Sequence, residues 1–178
     1  MNQHLVLTVI SPDRPGIVQL LAKTISTHEG SWQESRMAHL AGKFAGILQL
    51  VVPEEHGAAL RQALTALCGQ GLHIVIEDAE NVAAVEAHTY RFSVIGPDRT
   101  GIVAEIAQAF AERGISVDEL ETDCSSMPWS GEPLFEATGT IHVPPNVDMN
   151  NLLDQLDTIA DELAVDIRID ESQPSPAS

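Results

Sequence analysis

The chain has 178 residues, 44% of them hydrophobic and 20% charged, a globular composition with room for one medium domain or two small ones. Its net charge of −17, from nine Lys and Arg against 26 Asp and Glu, argues against direct binding to DNA or RNA, which works by replacing counterions with basic side chains. No apolar run reaches the length of a membrane span and the N-terminus lacks a basic-then-apolar leader pattern, so the expectation is a soluble, cytoplasmic protein with no membrane role.

In chain order, Leu5–Ile10 reads as a short strand that ends in the turn Pro12-Asp13-Arg14-Pro15-Gly16. Helical spacing follows, with Ile17, Leu21 and Ile25 on one face and Gly30 as the stop. Two strands, about Trp32–Leu40 and Lys43–Val52, are joined by a hairpin turn at Ala41-Gly42. Ala59, Leu60, Ala63, Leu64 and Leu67 mark a second helix, and Leu72–Glu77 a closing strand.

The grammar then repeats. The segment VISPDRPGIV at 9–18 returns 85 residues later as VIGPDRTGIV at 94–103, identical at eight of ten positions. Such a self-match reads as a duplicated unit. In the second copy the strand is Tyr90–Ile95, the helix face is Ile102, Ile106 and Phe110, and Gly114 is the stop. Strands follow at about Ser116–Cys124 and Leu134–Val143, joined by the longer loop Ser125–Pro133. Leu152, Leu153, Leu156, Ile159, Ala160 and Leu163 mark the last helix, with Asp154, Asp157 and Asp161 on its solvent face, before a strand at Val165–Ile169.

Two β-α-β-β-α-β units imply an α+β fold of two tandem ferredoxin-like domains, each a four-stranded antiparallel sheet covered by two helices. The expected division is a first domain at 1–78, a linker at 79–86, a second domain at 87–170 and a disordered polar tail at 171–178. Acidity concentrates in the second half: residues 87–178 hold four basic and 17 acidic side chains. The carboxylates Asp118, Glu119, Glu121 and Asp123 fit an exposed sheet edge protected from aggregation.

The chemistry available lies at the two turns. A glycine at a helix start lets another group approach the backbone, and the free N–H groups there attract a carboxylate. Asp13 and Asp98 either cap their helices or face the ammonium of a zwitterion, while Pro15 suits a first-turn position. The turns lack the glycines and Lys of a phosphate loop. No nucleophile, metal motif or dinucleotide fingerprint is evident, so no enzyme activity, metal or cofactor is expected. Cys68 and Cys124 lie outside any ligand spacing and read as buried, reduced thiols. Trp129, in Met127-Pro128-Trp129, either anchors a partner or folds back onto its own domain.

With both turns laid out, the chain resembles a tandem ACT-domain protein over about residues 3–170. The segment GSWQESRMA at 30–38 and GEPLF at 131–135 are similar to the glycine cleavage system transcriptional repressor family. The resemblance implies a regulatory protein that senses an amino acid, with glycine the candidate, at an interface between two such domains. It implies repression through contact with a transcriptional activator protein, and a homodimer is one way to pair the domains. Carried over, the ligand-binding positions are Asp13, Arg14, Gly16, Ile17 and Ser31, with Asp98, Arg99, Gly101, Ile102 and Ser116. Where many such domains have Asn early in strand two, this chain has Trp32 and Val117. Similar turns resemble the regulatory end of formyltetrahydrofolate deformylase, but this length leaves no room for its catalytic domain. A ligand-independent interaction module is the alternative reading.

Overall fold

In a computed structural model, residues 1–80 and 86–172 are described, and they form two compact units, Met1–Val82 and Ala83–Ser178. The first unit runs β1 (Asn2–Pro12), α1 (Ile17–Thr27), β2 (Ser31–Leu40), β3 (Lys43–Pro53), α2 (Glu54–Ala66), a 3-10 turn at Leu67–Gln70, and β4 (His73–Asp78). The second runs β5 (His88–Pro97), α3 (Ile102–Ala111), β6 (Ser116–Ser126), β7 (Pro133–Val143), α4 (Met149–Leu163) and β8 (Asp166–Glu171). Each builds one four-stranded antiparallel sheet, ordered β2-β3-β1-β4 and β6-β7-β5-β8. The duplicated ferredoxin-like plan is therefore the fold. Residues 81–85 of the expected linker and 173–178 of the expected tail lie outside the described residues, and the tail begins later than expected, because Glu171 pairs with Tyr90 as the last residue of β8 and Ser172 donates to Thr89 O.

Alternation decides which strand face is covered. Leu5, Leu7 and Val9 of β1 and Leu48, Leu50 and Val52 of β3 point to the helices and are buried. Ile17, Leu21 and Ile25 of α1 and Leu60 and Leu64 of α2 close over them. The second core swaps aromatics into this frame: Phe92 meets Phe110 edge-on, with ring centroids 5.4 Å apart. Leu152, Leu156 and Ile159 complete it from α4, whose N-cap Asp148 accepts from the backbone N–H groups of Asn150 and Asn151. Asp154, Asp157 and Asp161 face solvent, as their spacing requires.

Several expectations are corrected. Neither Asp13 nor Asp98 caps a helix: the N-caps are Gly16 and Gly101, with no side-chain cap bond. Pro15 accordingly precedes α1 instead of opening it, because the left-handed glycine is what turns the strand into the helix. Both cysteines are exposed: Cys68 lies in the 3-10 turn, and Cys124 lies on edge strand β6, whose residues are exposed throughout. Helix α2 starts at Glu54, ahead of the apolar pattern, and its first buried residue is Gly57, beneath the Gln3 side chain.

Candidate functional site

The two helix-start loops are built alike. Asp13 donates its backbone N–H to Gly42 O at 3.0 Å, and Asp98 donates to Pro133 O at 2.9 Å, so each loop is tied to a neighbouring hairpin. Gly16 has φ 92° and Gly101 φ 99°, a conformation that costs an L side chain about 1–2 kcal/mol. A Cβ at either glycine meets nothing within 4 Å. These glycines thus serve backbone geometry, not tight helix–strand packing, and the space before each first helical turn is open. No side chain caps the first-turn N–H groups, which leaves them available to an anion.

Asp13, Arg14, Gly16 and Ile17 lie together at the loop end of the first sheet, and Asp98, Arg99, Gly101 and Ile102 at that of the second. Ser31 and Ser116 do not join them within a copy. Ser31 opposes Val51, eight residues along β3 from Lys43, the partner of Pro12. At about 3.3 Å per residue that separation is roughly 26 Å. Ser116, opposite His142, is equally remote from Pro97, which opposes Leu134.

The copies differ at their arginines. Arg14 donates to Gln70 O at 2.6 Å, held by the 3-10 turn. The second copy has no such turn, and Arg99 has no hydrogen bond or ion pair among the described residues. Asp98 lies beside Cys124 of β6. The Cys124 thiol is pushed above its ordinary pKa, first by local desolvation and then by the Asp98 carboxylate, which repels the thiolate and accepts from the thiol. Asp123 adds repulsion. Sequence reasoning missed this neighbour, because 26 positions separate the two and only the β6–β7 hairpin brings them together.

Trp129 stands 99% exposed on a loop fixed by hydrogen bonds from Met127 N to Glu132 O and Gly131 N to Met127 O. It does not fold back. No group of three or more metal-ligating side chains occurs among the described residues. No helix among them is long and apolar enough to cross a membrane.

Duplicated ferredoxin-like units with helix-start glycine loops define the class of fold. Models of the ACT domain match residues 3–76 and 90–160, and the chain belongs to the ACT-domain family as a tandem pair. Among solved structures it is similar to an unknown protein from Galdieria sulphuraria, at 28% identity and TM-score 0.88, over 97% of this chain and 100% of that one. It is also similar to a protein provisionally assigned as a glycine cleavage system transcriptional repressor, at 20% identity and TM-score 0.68, over 97% and 99% of the two chains. A formyltetrahydrofolate deformylase from Burkholderia mallei shares 19% identity, over 47% of this chain and 28% of that one, at TM-score 0.40. No match to a curated protein was found by sequence.

Proposed function

We propose that this protein is a non-catalytic regulator that binds an amino acid at its helix-start loops and acts on a transcription factor by protein contact. The observation that carries the reading is the duplicated loop: an uncapped first helical turn, open space before it, and an aspartate and an arginine alongside. The first-turn N–H groups suit the effector's carboxylate and Asp13 or Asp98 its ammonium. Arg14 or Arg99 adds a second carboxylate donor, and Arg99, without a hydrogen bond or ion pair among the described residues, makes the second copy the stronger candidate. Ser31 and Ser116 belong to this site only if the loop of one protomer meets the second strand of its partner in a homodimer.

The repressor assignment of the neighbour above suggests glycine as effector and the glycine cleavage system as the regulated target. The acidity of the chain agrees with contact to an activator protein rather than to nucleic acid. Thermal melting of the full chain against each amino acid tests sensing. A ligand at 100 times its Kd adds about 2.7 kcal/mol, a rise of roughly 10–20 °C in the melting of the unit that binds it. No rise with any amino acid refutes it. The exposed Trp129 favours a second reading, a ligand-independent interaction module. A pull-down from cell extract with and without the amino acid that raises the melting temperature separates the two, because only the sensor changes its catch.

A further inference from the structure

The first copy shows what is missing from the second. In the second, a small cavity of about 30 Å³, open to solvent on one side, lies between α3 and edge strand β6. Its walls are apolar, with Ile102, Val103 and Ile106 from α3, Val117 and Leu120 from β6, and Phe135 from β7 among them. Val103, Val117 and Leu120 are left 43%, 41% and 49% exposed there.

Strand register aligns the two copies at this place. Trp32 opposes Leu50 as Val117 opposes Ile141, and Met37 opposes Gly46 as Thr122 opposes Ala137. In the first copy Trp32 and Met37, half-buried, pack against the core. In the second, the smaller Val117 and Thr122 occupy the corresponding positions, on the α3 side of β6. Of these two only Val117 lines the cavity, and Leu120, opposite Gly139, stands where the first copy has Ser35 opposite Leu48, so the exchange that bears on the cavity is Trp32 for Val117.

The cavity adjoins the helix-start loop. Ile102 is both a cavity wall and the first residue of α3, next to Gly101. Asp98 lies beside Cys124 at the same end of β6, and Cys124 opposes the cavity residue Phe135. Hydrocarbon is matched by the walls, an ammonium by Asp98, and a carboxylate by the first-turn N–H groups and Arg99.

We propose that this cavity is the side-chain pocket for an amino acid with a large apolar side chain, such as leucine or methionine, and that the second copy is the one that carries the effector. The proposal rests on the amino-acid-sensing reading above and goes beyond it in the class of effector. Glycine has no side chain to place among these walls. Each buried methylene is worth about fourfold in affinity, so leucine binds on the order of a hundredfold more tightly than glycine.

The test is calorimetric titration of the full chain with glycine, L-leucine and L-methionine, repeated on Val117→Trp, which installs the first copy's plug at the aligned position. The expected result is tight binding of leucine and methionine, much weaker glycine, and at least a tenfold loss for leucine in the plugged variant. Methyl NMR of the unaltered protein supplies the second readout, since the Val103, Val117 and Leu120 methyls shift when leucine is added. Leucine binding undiminished in a folded plugged variant overturns the pocket, as do unmoved methyls. Binding of glycine alone overturns the pocket but keeps sensing. Binding of no amino acid overturns both. Methyl shifts that follow protein dilution rather than ligand identify a second copy as the occupant and overturn the proposal.

Discussion

Replacing Gly101 by Ala separates two reasons for a glycine. Its φ of 99° strains any residue with a Cβ, whereas the Cβ itself would meet nothing within 4 Å. The strain is about 1–2 kcal/mol, and the stiffer unfolded chain offsets about 0.4–1 kcal/mol of that. The net loss is about 1 kcal/mol, a fall of roughly 4–8 °C in the melting of a unit of this size. Gly16→Ala, at φ 92°, should lose the same amount in the first unit. Gly139→Ala is the contrast: its Cβ would strike the Glu119 carbonyl and lie 2.7 Å from the Phe92 ring. That clash is overpacking, about 1–3 kcal/mol. Phe92→Leu should relieve part of it, since the first copy holds Leu7 opposite Leu48 where the second holds Phe92 opposite Gly139. Urea unfolding, with hydrogen exchange to assign each unit, measures all four. A loss above 3 kcal/mol at Gly101, or relief of that loss by Phe92→Leu, would refute the claim that only backbone strain acts there.

Phe110→Ala empties a side chain that is 1% exposed and deletes the contact with Phe92, so the second unit should lose about 3–5 kcal/mol while exchange in the first is unchanged. Asp98→Asn removes the carboxylate charge that repels the Cys124 thiolate, while the desolvation that contributes most to its raised pKa, and an amide oxygen able to accept from the thiol, remain. The pKa then falls and thiolate becomes more abundant. Alkylation of Cys124 near pH 8 should therefore accelerate relative to Cys68 in the same chain, and an unchanged ratio would deny the contact. Acrylamide should quench Trp129 far more than Trp32, and Trp129→Ala should change stability by less than about 0.5 kcal/mol.

The fold was legible because its signals are local and were written twice. The repeat at 9–18 and 94–103 gave the duplication, and period-3.6 faces such as Ile102, Ile106 and Phe110 gave the helices. Gly57 hid the start of α2, since a buried glycine breaks an apolar pattern while still lying on the inner face. The site was only half legible. Asp13 and Asp98 carry the residue type of a cap, but capping depends on where the side chain reaches, and a left-handed glycine took that position.

By itself the sequence determined the order of elements, the core faces and the acidic charge balance, because propensity, periodicity and charge are read from the residues in order. Tertiary structure alone decided that Ser31 and Ser116 lie far from their loops, that Cys124 meets Asp98, and that Val117 lines an open cavity while the aligned Trp32 packs against the first core. Those relations depend on strand register and on the volume left between packed side chains, and neither is set until distant segments meet.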